Sequence, residues 1–304
     1  MFEKSKITVI LTTYNSGKRL QRTLDSIFGQ NGNGITFDLE LIVVDDCSTD
    51  HTREILRRNG IEFYSTDRNS GGPNRGRNIG LEHATGDYIC LIDHDDTWES
   101  DKLISQLKVA RFYPIVSTAY TVMDTYAGQS AVVGTASNEV TIYSKNQAFL
   151  QRLIKSKSGQ RACLSTLMLH GSLRHVRFEE HYGMVDYDWY LRLLEGHSSA
   201  ELSRPLMTRY VNRENLSLNK DYRKKDYLFT MACLEQYEKS YPREVALARK
   251  RLNGSIARYF YLTGEMQAAR MYFKKSYWDV KTAMYYFTSY YGNELVKKHF
   301  RVFG

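Results

Sequence analysis

Four short apolar runs, separated by segments of helical spacing, dominate the first 112 residues and constrain the fold most strongly. They read "ITVIL" (7–11), "LELIVV" (39–44), "IEFYST" (61–66) and "DYICLI" (87–92). Apolar, β-branched runs of this length are typical of strands buried on both faces of a parallel sheet. Because the intervening segments have helical spacing, the pattern predicts an α/β fold with a mostly parallel sheet and helices on both faces.

Two of these predicted strands end in acids. A pair of acids at 45–46 closes the second run, and the sequence "DHDD" at 93–96 closes the fourth. The carboxyl ends of parallel strands share one edge of a sheet, where ligands of open α/β folds bind. Carboxylate oxygens suit Mg²⁺ or Mn²⁺ shared with substrate phosphates, so Asp93 and Asp95 are candidates for one divalent ion. The alternative is a loop whose acids, such as Asp96, cap the next helix.

A glycine- and arginine-rich segment lies between the third and fourth runs. It reads "NSGGPNRGRNIGL" (69–81) and precedes a predicted helix. Such a loop can bring backbone amides and a guanidinium group to a diphosphate, although an ordinary loop has the same composition. The chain has neither a G-x-G-x-x-G after the first strand nor a G-x-x-x-x-G-K-[ST]. The sequence therefore favours a nucleotide site outside the dinucleotide oxidoreductases and the P-loop NTPases.

Cysteine usage and hydropathy indicate the compartment. The four cysteines, at 47, 90, 163 and 233, form no C-x-x-C pair, which argues against a zinc ribbon or a disulfide scaffold and fits a reducing compartment. The first apolar run is too short for a signal peptide, and no stretch is apolar over about eighteen residues. We therefore expect a cytoplasmic protein; the inner face of the cell membrane is a further candidate peripheral location that rests on the basic tail described next.

The last third of the chain is basic and aromatic. Residues 205–304 contain 19 Lys and Arg against 9 Asp and Glu, and 20 of the 39 aromatic residues. We expect three or four helices after residue 220 that form a subdomain packed on the rest. A second hypothesis is that these basic and aromatic side chains bind an anionic membrane surface.

Five segments together resemble family 2 glycosyltransferases with the GT-A fold. In chain order they are "VILTTYN", "LIVVDDCSTD", "NSGGPNRGRNIGL", "GDYICLIDHDDTW" and "MVDYDWYLRL", and they span about the first two thirds of the chain. The resemblance implies an inverting transferase that moves a sugar from a nucleoside diphosphate, by default UDP, to a hydroxyl of a glycan or lipid-linked acceptor. It also implies a place in cell-surface polysaccharide biosynthesis.

The resemblance assigns roles to individual residues. The implied contacts to the nucleotide-sugar are Thr12, Thr13, Tyr14, Asp46, Asn69, Arg77 and Asp93. The first four border the base, the next two lie near the nucleotide or its phosphates, and the last faces the ribose or the sugar. Asp95 would hold Mn²⁺ or Mg²⁺, with Asp93 as a second candidate ligand, and Asp186 would be the general base.

The sequence departs from the family pattern at three positions. Thr12 stands where the family usually has Pro, and Val185 stands where Glu usually precedes the base. In "RYVNRENLSLN" (209–219), Asn212 occupies the position of a family His. Arg209 or Arg213 is the candidate replacement for that side chain.

We expect two domains and keep two other functions open. Residues 1–219 would form the catalytic domain, with the nucleotide-sugar side in 1–112 and the acceptor side in 113–219, and residues 220–304 a helical subdomain. One alternative is a nucleotidyltransferase that makes a nucleotide-sugar; the other is a non-catalytic relative that binds a membrane or nucleic acid. Nucleic acid is not an expected partner, because the acids of the first part would repel a polyanion and no recognised binding motif is present.

Overall fold

The chain folds as two compact units. The computed structural model describes residues 4–134, 139–156, 159–181, 186–211 and 220–294. The first unit comprises Met1–Arg152 and Ser158–Asn215, and the second comprises Leu153–Lys157 and Leu216–Gly304. The departures from the family pattern at Val185 and Asn212, together with Arg213, lie outside the described residues.

The strands of the first unit, as far as it is described, form one ten-stranded sheet. In chain order they are β1 (Ser5–Thr13), β2 (Phe37–Asp45), β3 (Phe63–Ser65), β4 (Tyr88–Asp93), β5 (Thr97–Trp98), β6 (Ile115–Asp124), β7 (Gln129–Val133), β8 (Val140–Tyr143), β9 (Met168–His170) and β10 (Ser199–Val211). Their spatial order is β3-β2-β1-β4-β9-β6-β10-β5, with β7 paired to β6 and β8 to β10.

The part of the sheet predicted from the four apolar runs is parallel. β3, β2, β1 and β4 pair in parallel, as do β6 and β10. The short strands β5, β7, β8 and β9 add antiparallel pairs, and β9 lies between β4 and β6. The predicted α/β architecture is confirmed, and antiparallel strands extend it beyond the predicted parallel core.

Helices cover both faces of this sheet. Before residue 200 the chain forms α1 (Leu20–Phe28), α2 (Thr52–Arg58), α3 (Asn74–His83), α4 (Lys102–Ala110), α5 (Gln147–Leu153) and α6 (Tyr187–Leu194), with short 3-10 helices at Leu164–Thr166 and Gly171–His175. Ile7, Val9 and Leu11 of β1 belong to one core cluster with apolar residues of α1 and α4. The alternate residue Ile10 lies against Gly80 of α3 instead. Since successive strand residues point to opposite faces, α1 and α3 lie on opposite sides of β1.

The contact between α3 and β1 depends on two glycines of the helix. A Cβ at Gly80 would lie 2.3 Å from Cγ2 of Ile10, and one at Gly76 would lie 3.0 Å from Cγ2 of Thr12. Both distances are too short for carbon atoms, so the two glycines let α3 lie directly on β1. This close packing brings Arg77, one residue after Gly76, to the carboxyl end of β1.

The second unit contains α7 (Lys220–Glu235), α8 (Pro242–Leu262), α9 (Met266–Lys274) and α10 (Val280–Thr288). Helix α8 buries residues at helical spacing, including Val245, Ala248 and Leu252. Its C-terminal half forms a core with Phe273 of α9 and Tyr285 of α10. In the described part of the chain, every helix is too short or too polar to span a bilayer.

Candidate functional site

The carboxyl ends of β1, β2 and β4 bring three of the motifs together. In the strand register, Thr13 of β1 pairs with Asp45 of β2, and Thr12 pairs with Asp93 of β4. Both threonines are buried, whereas Tyr14, directly after β1, is 42% exposed. Tyr14 therefore offers a ring at the open edge of the sheet, where ligands of such folds bind.

Residues 93–96 form a tight acidic turn after β4, closed by a hydrogen bond from Asp96 N–H to the carbonyl of Asp93 at 3.1 Å. Side chains of helix α1 donate hydrogen bonds to the backbone carbonyls of this turn. Arg22 Nη2 donates to the carbonyl of Asp95 at 2.9 Å. The hydroxyl of Thr23 lies 2.9 and 2.8 Å from the carbonyls of His94 and Asp96. Because the backbone is fixed from the α1 side, the turn presents its carboxylates in defined positions.

Ser165 supports the same turn from the 3-10 helix at Leu164–Thr166. Its hydroxyl accepts a hydrogen bond from Asp93 N–H at 3.1 Å and donates to Oδ2 of Asp96 at 2.6 Å. Its carbonyl accepts from the indole of Trp98 at 2.8 Å. Asp96 is therefore held by Ser165, and it does not cap helix α4, which begins at Lys102.

The three acids of the turn have different surroundings. Arg77, buried, donates from Nη2 to Oδ1 of Asp93 at 2.8 Å, and this cation lowers the pKa of Asp93 against the effect of burial. Burial, followed by the charges of Asp93 and Asp95, raises the pKa of Asp96 well above its usual range. Arg209 of β10 is near enough to lower the pKa of both Asp93 and Asp96. The turn thus combines two cations with a buried carboxyl that favours its protonated form.

Asp95 is the carboxylate of the turn with the fewest partners, although the side chain of Asp93 is more exposed, at 37%. Arg19 Nη1 lies 4.0 Å from Oδ2 of Asp95, whose side chain is 23% exposed. From the residues that the structure describes, its oxygens accept no hydrogen bond. A carboxylate with unsatisfied oxygens at the open edge of a sheet fits a divalent ion.

A metal ion at Asp95 would need further ligands from outside this donor set. Across the described ranges, no group of three or more His, Cys, Asp and Glu side chains is arranged to hold an ion. Mg²⁺ and Mn²⁺ are commonly held by one or two carboxylates together with substrate phosphates. The residues therefore fit an ion shared between Asp95 and a diphosphate, and Asp93, with one oxygen bound by Arg77, is the less available ligand.

Asp46 and Asn69 organise the loop that follows β3. The carboxylate of Asp46 accepts hydrogen bonds from the Thr66 hydroxyl at 2.7 Å and from the Ser70 amide and hydroxyl at 3.0 and 2.9 Å. The exposed Asn69 accepts from the amide of Gly71 at 2.9 Å. In this structure both residues shape the loop before α3, and their contacts to a nucleotide stay predictions.

Asp186 precedes helix α6 without capping it. Its side chain makes no capping hydrogen bond, while Asp188 is bound by Arg192 one turn later at 2.6 Å. Asp186 is partly exposed, and its carboxylate accepts no hydrogen bond within the described ranges. The helix-capping alternative therefore has no support at Asp186.

The thiol of Cys163 links Asp186 to the acidic turn. Burial raises the pKa of Cys163 most, and the carboxylates of Asp96, Asp93 and Asp186 raise it further. Asp186 and the turn, about 90 residues apart in sequence, therefore both lie within electrostatic range of this one side chain. That they form one site stays a prediction.

Sequence reasoning missed Arg22, Thr23 and Ser165. Thr23 had a readable signal, since it lies on the apolar face of α1 between Leu20 and Ile27, where an unpaired hydroxyl is costly. Ser165 had none, because it lies in an irregular segment about 70 residues from its partners. The predicted residues that the structure does bring to one edge are Thr12, Thr13, Tyr14, Asp46, Arg77, Asp93 and Asp95.

Comparison with known proteins assigns the fold and the family. A family model described as Glycosyl transferase family 2 matches residues 8–177, more than half of the chain. Over 95 residues the chain is 40% identical to the poly(ribitol-phosphate) beta-N-acetylglucosaminyltransferase TarS of Staphylococcus aureus, which covers 30% of this chain and 16% of TarS. It is 25% identical over 300 residues to an uncharacterized glycosyltransferase of Haemophilus influenzae, covering 96% and 97% of the two chains. The chain thus spans only a small part of TarS, and nearly all of the second relative.

Two solved structures share the fold. The structure of S. aureus TarS 1–349 with UDP-GlcNAc has a TM-score of 0.64 at 18% identity, over 89% of this chain and 79% of that one. A mannosyltransferase of Pyrobaculum calidifontis, PcManGT, in complex with GDP-Man and Mn²⁺, has a TM-score of 0.63 at 17% identity. It covers 99% of this chain and 83% of that one. The GT-A architecture expected from the sequence is confirmed.

Proposed function

Because the chain belongs to glycosyltransferase family 2, we propose that it transfers a sugar from a nucleoside diphosphate to an acceptor hydroxyl with inversion at the anomeric carbon. The observation that carries this proposal is the fixed acidic turn at the carboxyl edge of the sheet, where Arg77 binds Asp93 and Asp95 accepts no hydrogen bond from the described residues. A proton acceptor and a binding turn for a diphosphate near one site are the two parts that this reaction needs.

The residues divide the reaction between them. Asp186, whose carboxylate accepts no hydrogen bond from the described residues, takes the proton of the acceptor hydroxyl while that oxygen bonds to the anomeric carbon. The bond from this carbon to the diphosphate breaks, and the nucleoside diphosphate leaves with the electron pair. Arg77 and Arg209 are near the turn where the negative charge of the leaving group develops.

We propose that Asp95 holds Mn²⁺ or Mg²⁺, which would supply a Lewis acid to the departing diphosphate. The exposed ring of Tyr14 and the adjacent threonines Thr12 and Thr13 would border the base. Asp46, Asn69 and Asp93 complete the proposed nucleotide-sugar contacts.

The donor and the acceptor are proposed from relatives. TarS is named for N-acetylglucosamine transfer to poly(ribitol-phosphate), and a structure of it contains UDP-GlcNAc. We propose a UDP-sugar as donor and a glycan or lipid-linked glycan of the cell surface as acceptor.

We propose that the chain segments have the functions that the sequence predicts for them. Residues 1–112 bind the nucleotide-sugar, 113–219 face the acceptor, and 220–304 form a basic helical subdomain. The enzyme would work in the cytoplasm, at the inner face of the cell membrane, where lipid-linked acceptors are presented.

The test is a donor screen followed by two substitutions. Thermal shifts with UDP-GlcNAc, UDP-Glc, UDP-Gal, UDP-GalNAc and GDP-Man, each with and without Mn²⁺, should identify one donor that stabilises the protein only with metal. Asp95→Asn should abolish this metal-dependent shift. Asp186→Asn should retain it and lower kcat by about 10²–10⁴-fold, the usual contribution of a general base.

Asp38→Asn is the matched control, because Asp38 lies in β2 at the end opposite to the site and is 61% exposed. It should leave both donor binding and turnover unchanged. Release of the nucleoside diphosphate distinguishes sugar transfer from nucleotidyl transfer, which releases pyrophosphate. Normal turnover by Asp186→Asn would show that another group takes the proton.

A further inference from the structure

Helix α10 exposes an apolar face to solvent. Val280, Met284 and Phe287 recur at the spacing of one helix face, and the first and third are 79% and 62% exposed. The opposite face buries Tyr285, whose ring packs on Tyr261 and Phe273 at centroid distances of 4.9 and 5.9 Å. The core of the second unit therefore fixes α10 in place, while none of the described residues covers its outer face.

Aromatic rings extend this face at both ends of the helix. Tyr286 contacts Trp278, before the helix, at 5.3 Å and Tyr290, after it, at 5.7 Å. Tyr291 is 82% exposed, and Trp278 is nearly half exposed. We call Trp278, Val280, Met284, Phe287, Tyr290 and Tyr291 the α10 face. Monomeric proteins rarely expose an apolar patch of this kind unless it binds something.

Cations outnumber acids in the segment that carries the α10 face. Residues 266–304 contain seven cationic residues and two acids, Asp279 and Glu294. The guanidinium of Arg270 lies 4.6 Å from the ring centre of Tyr290, and Lys274 and Lys275, shortly before Trp278 in the sequence, are exposed. The carboxylate of Asp279 caps α10 by accepting from the amide of Thr282 at 2.7 Å.

We propose that the α10 face docks on the headgroup region of an anionic phospholipid bilayer. Trp and Tyr rings prefer this region because their apolar bodies and polar edges match its two sides, and Lys and Arg there are attracted by the negative surface charge. The sequence after the described part continues the pattern, as residues 295–304 carry Lys297, Lys298 and Arg301 and no acid. Charge complementarity favours this occupant over a second copy of the chain, whose own cations would repel.

The inference deepens the membrane part of the proposed function and does not depend on the transfer reaction. Binding to the bilayer is measured without donor or acceptor, and transfer to a soluble acceptor is measured without vesicles. Failure of one measurement therefore leaves the other intact.

The experiment uses the full chain with vesicles of phosphatidylcholine alone or mixed with phosphatidylglycerol. Trp98 and Trp189 are buried, so a blue shift of tryptophan emission on adding vesicles reports Trp278. We expect this shift and co-sedimentation only with the anionic vesicles, and a decrease as salt is raised. Phe287→Glu should weaken partitioning about tenfold or more, from lost apolar burial and added repulsion.

Phe112→Glu is the matched control, because Phe112 of the first unit is 78% exposed and outside the α10 face. It should partition like the wild type, and the double variant Lys274→Glu/Lys275→Glu should partition like Phe287→Glu. Equal binding to both vesicle types, or equal partitioning of Phe287→Glu and Phe112→Glu, would overturn the proposal. A dimer in sedimentation velocity that Phe287→Glu dissolves, without vesicle binding by the wild type, would assign the face to a second copy and overturn it as well.

Discussion

At the scale of single residues, Ser165 is the clearest case of a side chain that acts through others. Ser165→Ala would remove both hydrogen bonds of its hydroxyl and leave the Asp96 carboxyl buried without that partner. We expect a loss of about 1–3 kcal/mol in unfolding free energy. We also expect weaker metal-dependent donor binding, because the turn that carries Asp95 loses one of its two supports.

Ser199→Ala is the matched control for Ser165→Ala. Ser199 is fully buried, and its hydroxyl donates to Gln160 at 2.8 Å, at the start of β10. Calorimetric titration of the donor in the presence of Mn²⁺ should give the wild-type Kd for Ser199→Ala and a higher Kd for Ser165→Ala. If the two variants lose the same free energy of unfolding and have the same Kd for the donor, Ser165 has no role in donor binding beyond stabilising the core.

Lys102 predicts a dependence of stability on pH. It is fully buried, with Nζ 2.6 Å from Oε1 of Gln106 and 4.1 Å from the ring centre of Trp98. Burial lowers its pKa from 10.5 to about 8, although the thiols of Cys90 and Cys163 oppose this. Between pH 8 and 10.5 the Lys102 side chain binds more protons in the unfolded chain than in the folded one. Its contribution to the free energy of unfolding therefore rises with pH. Below pH 8 the cost of the buried charge is fully present, at about 3 kcal/mol.

Lys102→Met removes this titration. Both proteins are unfolded with urea at pH 7.5 and at pH 9.5. Because the other groups that titrate in this range are the same in both proteins, their contributions cancel in the difference between the two. The stability of the wild type relative to the variant should rise by about 2 kcal/mol between the two pH values. Parallel stabilities of the two proteins across this interval would mean that Lys102 is not desolvated in solution.

At the scale of elements, the contact of α3 with β1 sets the position of Arg77. Gly80→Ala would place a Cβ 2.3 Å from Ile10 and force the helix away from the strand. We expect a loss of about 1–3 kcal/mol in unfolding free energy, as for other overpacked cores. Donor binding should also weaken, because Arg77 would move with the helix away from Asp93.

Gly254→Ala in α8 provides the contrast for this substitution. A Cβ there would lie 3.4 Å from its nearest neighbours, which is ordinary contact, and alanine favours a helix over glycine by about 1 kcal/mol. Chemical denaturation should therefore show an unchanged or slightly more stable protein. If Gly80→Ala and Gly254→Ala lost similar free energies of unfolding, the close packing of α3 on β1 would not explain the effect at Gly80.

At the scale of the whole molecule, our two proposals assign donor binding to the first unit and bilayer binding to the second. Hydrogen exchange with donor and Mn²⁺ should protect the segments at the carboxyl ends of β1, β2 and β4 and the start of α3. Exchange with anionic vesicles should instead protect α10 and the residues just before it. Protection of the same segments by both ligands would contradict the separation of the two surfaces.

The sequence predicted the first half of the first unit closely. The runs at 7–11, 39–44, 61–66 and 87–92 became β1 to β4, with ends within three residues of the predicted ones. Local pattern is sufficient here, because a strand buried on both faces must be apolar throughout and acids mark its exposed end. Apolar spacing predicted α1, a cap and a terminal glycine predicted α2, and helices were also expected at the positions of α3 and α4.

The strand β10 was not predicted, although it is the longest of the described strands. Its sequence, "SAELSRPLMTRYV", contains Pro205 and several charged residues, and its pairing with β6 shifts register on either side of the proline. Glu201 within it is buried against Tyr143, whose hydroxyl donates to it at 3.0 Å. The hydrophobic pattern of this segment does not predict a strand, because its buried polar residues are bound by residues from distant segments of the chain.

The sequence alone determined the alternation of strands and helices, the acids at the strand ends and the family, since each is a property of neighbouring residues. Only the tertiary structure decided that Ser165 supports the acidic turn, that Asp186 lies within electrostatic range of Cys163 and that no described residue covers one face of α10. These facts depend on which distant segments pack together, and packing sums many weak contacts over the whole chain, so no short stretch of residues contains it.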